Sequence, residues 1–459
     1  MNIFRTKSIE LLKSESKAHS LKKSLGAIDI VLLGVGVIIG TGIFVLTGVA
    51  AAKYAGPALM LSFGIASLTC VFVSLAYSEL ASMVPIAGSA YTYTYTSLGE
   101  FLAWLVGWNL ILEYSVGASA VAGGWSAYMV GLIRSAGFDI PFALTAVPAD
   151  GGIVNLPAML ITLLLTFLLV RGVKESVTVN KVLVSVKFIA IFIFLFLAGP
   201  KVDVTNWSPF MPFGFAGVSA GAAVIFFAYL GVDSVATAAE ETKNPNRDMP
   251  IGIIGSLLIC TVLYVAVAGV LTGVVPYSQL NTAEPVTYVL RTIGYNFGSA
   301  VVGTGAVAGL TTVLLVMMYA QSRAFFAMSR DGLIPEKICR VHPKYKTPYI
   351  ITIIVGIGVA LISGFAPIAV VAEMCSIGTL FAFIVSMIGV VVLRRSAPNI
   401  ERPFKCPAIY SVAILAILAC GYIMLNLAAV TWYRFIIWSA LGTIIYFVYG
   451  RYNSTLNKG

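Results

Sequence analysis

The chain has 459 residues, of which 59% are hydrophobic and only 10% are charged. A soluble domain carries about 25% charged residues, so this composition excludes an ordinary soluble enzyme or binding module. It reads instead as an all-α membrane protein that crosses the bilayer many times. The net charge of +10 is one that often marks nucleic-acid or anionic-lipid partners. Most of the basic residues fall in alternate loops, however, which is the pattern of membrane orientation, and no nucleic-acid partner is expected.

Residues 1–26 form a basic tail with a short amphipathic stretch near Ile9–Lys17 and no cleavable signal pattern, so the first span is expected to act as the insertion signal. Twelve apolar spans come after it, at 27–53, 57–84, 98–132, 156–171, 177–198, 217–241, 250–275, 299–329, 348–364, 369–395, 408–427 and 430–450. About 20 apolar residues suffice for a helix to cross a bilayer. The organisation expected is a tail (1–26), spans one to five (27–198), an outer loop with spans six to ten (199–395), and the last two spans with a short tail (396–459). Lysine and arginine concentrate in the tail and in every second loop, which places both termini in the cytoplasm of a cell (plasma) membrane protein. None of the six cysteines lies in a loop read as external, so disulfides are not expected.

The first span carries Gly34-Val-Gly-Val-Ile-Ile-Gly40-Thr41-Gly42-Ile43-Phe44. Gly40-Thr41-Gly42 is a poor helix interior, because glycine loses the most backbone freedom on ordering. The span is read as broken at mid-membrane, where unwound backbone is tolerated only if packed in protein or lining a cavity. The sixth span has a second such point, at Phe226-Phe-Ala228-Tyr229-Leu230-Gly231-Val-Asp233. If spans one to five and six to ten are inverted repeats, the two breaks are counterparts. The same glycines can also serve close helix packing.

A broken helix presents amides at one half-helix start and carbonyls at the other half's end. Amides near Thr41, Gly42 and Ile43 suit a carboxylate. Carbonyls of Phe226, Phe227 and Ala228 suit an ammonium. The expected substrate-binding set is Ile39, Gly40, Thr41, Gly42, Ile43, Glu113, Phe226, Phe227, Ala228, Leu230 and Met317. Phe227 or Tyr229 can close over the ligand, and Glu79 and Asp233 are assigned with Tyr229 to gating. Lys187 lies halfway along span five, where a lysine costs about 2.5–3.5 kcal/mol on insertion scales. It must find a partner or release its proton, so it is the candidate for proton coupling. Glu113, in the middle of span three, can pair with Lys187, form part of a gate or receive a cationic side chain. Arg323 and Glu373 read as structural partners. Met317 and Met318 can wall the pocket or fill core.

No enzyme signature is present. His19 and His342 lie in polar segments, and there is no P-loop, no zinc-like Cys/His spacing and no nucleophile elbow. No cofactor is expected.

Five segments carry a family resemblance: Gly40-Thr-Gly-Ile-Phe44, Pro85-Ile-Ala-Gly-Ser-Ala-Tyr91, Phe226-Phe-Ala-Tyr-Leu-Gly-Val-Asp233, Glu240-Glu-Thr-Lys-Asn-Pro-Asn-Arg-Asp-Met-Pro250 and Ser329-Arg-Asp-Gly-Leu-Ile-Pro335. With them the chain resembles the amino acid–polyamine–organocation (APC) superfamily and, within it, the bacterial branch of the cationic amino acid transporter (CAT) family. The resemblance implies a five-plus-five inverted repeat of the sodium–leucine symporter (LeuT) type with helices one and six broken, plus two peripheral helices. It implies that the residues matching Thr41, Gly42 and Ile43 hold a carboxylate and those matching Phe226, Phe227 and Ala228 an amino group. The lysine matching Lys187 stands where sodium sits in related carriers, which suggests proton coupling. Met317 replaces a smaller residue of the animal members, and Val232 a common phenylalanine. The function expected is import of L-amino acids with protons, by alternating access. Small neutral substrates such as alanine, serine or threonine come first, and arginine or lysine second. A sodium-independent exchanger, and more distantly a sensor or channel, are the alternatives. A small membrane subunit is a further partner on which the sequence is silent.

Overall fold

The computed structural model describes residues 4–7, 25–83, 89–172, 177–231, 235, 242–345 and 347–457. Among these the chain is helical, with a single isolated β-bridge between Leu25 and Thr242 and no strand. Among the same residues, seven helical stretches are long and apolar enough to cross a membrane, and five more are apolar with 10–17 residues. The helices are numbered in chain order. They are α1 (Ala27–Ile38), α2 (42–55), α3 (Leu59–Met83), α4 (Ser89–Ser97), α5 (Glu100–Ser135), α6 (Leu156–Arg171), α7 (Val177–Ala198) and α8 (Gly214–Ile225). After a short tight turn (Phe226–Tyr229) come α9 (Pro245–Val274), α10 (Pro285–Thr292), α11 (Asn296–Arg330), α12 (Tyr349–Phe365), α13 (Ile368–Ser396), α14 (Ile409–Leu425) and α15 (Ala429–Ile445).

The ends of these helices reflect local chemistry. Asp29, in the first turn of α1, accepts the Gly26 amide at 3.0 Å, which offsets the positive helix start. Asn155 caps α6 by accepting from the Ala158 amide (3.3 Å) and is itself fixed by the Ser126 hydroxyl (2.6 Å). Pro157, Pro245 and Pro285 each open a helix where the missing N–H is no loss.

Two helices depart from the spans expected of the sequence. α4 lies between spans two and three, and α10 sits in the loop between spans seven and eight. Each is under ten residues, too short for hydrophobic periodicity to mark. Span six begins at Gly214 rather than 217, and α9 starts at Pro245 rather than 250, with Pro250 still in its first turns. The amphipathic stretch Ile9–Lys17, residues 84–88 and residues 236–241 of the family motifs lie outside the described residues.

The interior is formed where α5 packs against α11 and α13, α9 against α1 and α3, and α7 against α11. α6 pairs with α12 at one side, and α14 and α15 pack outside α13. The two ends of the chain meet at one end of the bundle: the Arg5 guanidinium donates to the Leu456 carbonyl at 2.9 Å.

Candidate functional site

The helix that begins at Ala27 stops at Ile38. Ile39 turns out of helical geometry (φ −73°, ψ 101°) while its amide still closes the last turn on Val35 at 2.9 Å. The helix resumes only with the Phe44 amide on the Gly40 carbonyl, at 3.3 Å, and through a wide turn over Gly42–Leu46. The amides of Thr41, Gly42 and Ile43 therefore lie ahead of the first bond of the resumed helix. The Thr41 hydroxyl is buried there with no hydrogen-bond partner among the described residues.

The second break has the opposite sense. α8 tightens into the turn Phe226–Tyr229 and stops as Leu230 swings to ψ 143°. Gly231 then takes φ +97°, a conformation closed to most side chains. The carbonyls of Phe226, Phe227 and Ala228 are thus at the negative end of α8. Asp233 and Val232 lie outside the described residues.

The two breaks touch. A β-carbon added to Gly42 would fall onto the Cα and Cβ of Ala228, so only glycine permits the approach. One side chain ties both: the Tyr264 hydroxyl on α9 lies 2.7 Å from the Ile38 carbonyl and 2.9 Å from the Ala228 carbonyl. These are the last carbonyls of two half-helices, and a hydroxyl has one proton to share between them. Sequence reasoning misses Tyr264, because a tyrosine in an apolar span usually reads as core.

One face of α11 runs alongside the breaks. Gly309, Val313, Met317 and Gln321 recur every fourth residue and so share that face. Val313 covers Gly40, with its methyls 3.4 and 3.5 Å from where a β-carbon would stand. Met317 lies one turn further on, its sulfur 3.5 Å from the same point on Gly117 of α5. The bare backbone of Gly309 accepts the aliphatic stem of Lys187. That lysine, only 2% exposed, donates to the Gly36 carbonyl of α1 at 2.5 Å. The lysine thus reaches the first broken helix one turn before its break.

The other expected residues fall in different settings. Glu113 is buried on α5 against α13, where the Cys375 thiol donates to its main-chain carbonyl at 3.1 Å. Tyr229 packs edge-on to Tyr264 and donates to the Phe63 carbonyl at 3.1 Å. Phe226 meets Phe383 of α13 edge-on at 6.3 Å. Glu79 is enclosed away from the breaks. Its carboxylate takes two 2.7 Å bonds from Arg394 and one of 2.8 Å from the Cys406 amide, with Arg402 at 3.4 Å. Glu373 accepts from Thr431 at 2.7 Å, and Arg323 lies over the Tyr319 ring at 4.3 Å. All six cysteines are buried free thiols.

Peptide groups of two helix breaks thus converge inside an apolar bundle, with one lysine beside them, an arrangement whose partial charges suit a small dipolar ligand. Residues 25–449 match the amino acid permease family. The chain belongs to that family, and so to the APC superfamily. It is 48% identical over its full length to the branched-chain amino acid permease BcaP of Bacillus subtilis, covering 99% of that protein. It is also 48% identical to the methylthioribose transporter of Bacillus subtilis, with both chains covered in full. It is 39% identical over 85% of its length to the vacuolar cationic amino acid transporter 4 of Arabidopsis thaliana, of which it covers 66%. These relatives are permeases and transporters, not enzymes, and with its apolar helices the chain is a multi-pass membrane protein.

Proposed function

We propose that this protein is a proton-coupled importer of neutral L-amino acids that works by alternating access. The observation that carries the reading is the contact of two oppositely directed helix breaks at Gly42 and Ala228. The amides ahead of Phe44 suit a carboxylate, and the carbonyls ending α8 suit an ammonium, so the pair fits a zwitterion. Val313, against Gly40, and Met317, one turn further along α11 against Gly117, add apolar surface on the face beside the breaks, which favours small neutral or branched side chains over arginine or lysine.

In this reading the apolar helices form twelve spans. α1 with α2 is the first broken span and α8 with the turn after it belongs to the sixth, the two related as members of a five-plus-five inverted repeat of the LeuT type. That the chain's two ends meet at one face supports an even number of crossings. The concentration of lysine and arginine in the tail and in every second loop favours a cytoplasmic position for both termini. Substrate would contact Ile39, Gly40, Thr41, Gly42, Ile43, Phe226, Phe227, Ala228, Leu230 and Met317, with Glu113 nearby.

Lys187 is assigned the proton. Charged, it holds the Gly36 carbonyl and steadies the first half-helix. On losing its proton it gives up that charge-assisted bond, which leaves the half-helix free to move. Proton and substrate thereby act on the same helix.

The test is uptake into proteoliposomes under an imposed pH gradient. Accumulation driven by an inward proton gradient without sodium is expected for alanine or valine. Uptake that needs sodium contradicts both proton symport and sodium-independent exchange, and uptake that occurs only against preloaded substrate contradicts proton symport and leaves exchange. Methylthioribose belongs in the same panel: if it alone is accumulated, the zwitterion assignment fails.

A further inference from the structure

We infer that the loop between α11 and α12 binds the headgroup of an anionic phospholipid, whose acyl chains lie along the paired helices α6 and α12. The site requires only membrane embedding, not the transport reading above. The sequence supplies the charge. Residues 332–348 carry Lys337, Arg340, Lys344 and Lys346 against one acid, Glu336. Lys346 lies outside the described residues. The other three are exposed, and so is Arg171, the last residue of α6. Among the described residues, no carboxylate lies within ion-pair distance of any of these four cations. A basic loop by itself marks only a cytoplasmic side, but this loop is also folded. The Nδ1 of His342 accepts the amides of Lys344 and Tyr345 at 3.1 and 3.3 Å, and the His342 amide bonds the Thr347 carbonyl at 2.8 Å. The His342 ring lies 4.7 Å from that of Tyr345 and meets Tyr349 edge-on at 5.1 Å. Lys344 stands over the Tyr345 ring at 5.6 Å.

The loop is tied to the end of α6. The Thr347 hydroxyl donates to the Val170 carbonyl at 2.7 Å. Gly172, with φ +83°, lets the loop lie close: a β-carbon there would stand 3.2 Å from the Tyr345 carbonyl oxygen. The helices supply the apolar part. On α6, Leu160, Leu164, Phe167 and Arg171 fall on one face. The first three are 51–57% exposed, and the Arg171 guanidinium lies over the Phe167 ring at 4.5 Å. On α12, which packs against α6, Ile353, Ile354, Ile357 and Leu361 are 40–53% exposed. Two uncovered apolar stripes thus end at a rim of cations backed by rings. That order matches a phospholipid, acyl chain first and phosphate last. Tyrosine rings favour headgroup level, and a basic site between helices at the cytoplasmic side suits an anionic headgroup. Each lysine or arginine near an anionic surface adds about fivefold to binding.

The experiment uses the full chain in detergent and measures retention of added lipid by native mass spectrometry, with the melting temperature alongside. Dioleoyl phosphatidylglycerol is compared with dioleoyl phosphatidylcholine, which has the same chains and no net charge, and with inorganic phosphate. Phosphatidylglycerol is expected to be retained and to raise the melting temperature, with phosphatidylcholine at least about tenfold weaker and phosphate without effect. The triple variant Lys337→Ala, Arg340→Ala, Lys344→Ala should bind the first phosphatidylglycerol about a hundredfold more weakly, about fivefold for each cation removed. Lys53→Ala, Lys201→Ala, Arg434→Ala removes as many exposed charges elsewhere and should leave that affinity unchanged. His342→Ala keeps every cation but frees the loop, and should weaken retention by about threefold to tenfold. Equal retention of the two lipids overturns the inference. So does an equal loss in both triple variants, which would mean diffuse attraction to a basic surface. Stabilisation by phosphate alone assigns the cations to a free anion and overturns the lipid. Unchanged affinity in His342→Ala overturns the role of the folded loop. The comparison of lipids uses the unaltered chain, so it decides the matter even if a variant does not fold.

Discussion

The two polar regions of this molecule are built from different materials. At the helix breaks the polarity comes from peptide groups, with one lysine at the edge. At the end of the bundle it comes from side chains: Glu79 with Arg394 and Arg402, Glu100 with Arg5, and Asp331 with Lys7. The contrast has its origin in solvent. An ionised side chain deep in an apolar bundle bears a large desolvation cost, whereas half-helix ends carry partial charges that the fold already holds in place. A site built on peptide ends can receive a charged ligand and be left empty again without stranding a full charge. Near water, ion pairs with hydrogen bonds to spare are tolerable and serve as fasteners.

That contrast can be broken first at Gly42. Gly42→Ala drives a β-carbon into Ala228 and is expected to lower substrate affinity about a hundredfold, at least 2–3 kcal/mol, read by thermal shift or isothermal calorimetry on purified protein. The fasteners should answer differently. Glu79→Ala strands two arginines beside a buried space. Breaking a buried pair costs about 3–5 kcal/mol, discounted to about 2 because Arg394 is 23% exposed. The melting temperature should fall while substrate affinity in the protein that remains folded is unchanged. Lys187→Met is expected to abolish accumulation under a pH gradient while counterflow exchange persists, as measured in proteoliposomes. Tyr264→Phe removes the donor shared by the Ile38 and Ala228 carbonyls, and should weaken substrate binding about tenfold, in line with about 1–3 kcal/mol for a buried acceptor left unmade.

The smallest effect concerns a thiol at the fastener. Burial pushes the Cys406 thiol up to about 11, with Glu79 nearby adding to the rise and Arg394 opposing it. The raised value means that the thiolate is scarce below that pH. Alkylation of Cys406 should therefore be slow at pH 8 and climb as pH approaches 11, and Glu79→Gln should speed it at a given pH. Mass spectrometry of the alkylated protein reads both.

Much of this is legible in the residues, and the rest is hidden for physical reasons. Gly40-Thr41-Gly42 and Leu230-Gly231 announce the breaks because glycine is costly inside a helix, and the structure interrupts the chain at both. Lys187 announces itself by its cost at mid-span, though not its partner, since the Gly36 carbonyl looks like any other peptide group in a sequence. α4 and α10 escape notice because eight or nine residues are too few to show a period. Tyr264 is invisible for a related reason: a tyrosine that bonds two carbonyls and a tyrosine that fills space have the same neighbours in sequence. Glu79 suggests a gate because it falls at the right depth, but the partners that hold its carboxylate, on α13 and the loop after it, lie more than 300 positions away and cannot be read from the sequence.

On the proposed reading, the two breaks together grip both ends of a zwitterion. The most direct test is calorimetric binding of L-alanine or L-valine beside their N-acetyl and carboxamide derivatives, each of which removes one of the two charges. The free amino acid should bind, and either derivative should lose at least about tenfold in affinity, roughly 1.4 kcal/mol. A derivative that binds as tightly as the parent amino acid would show that one break has no part in holding the ligand, and would contradict the two-ended grip.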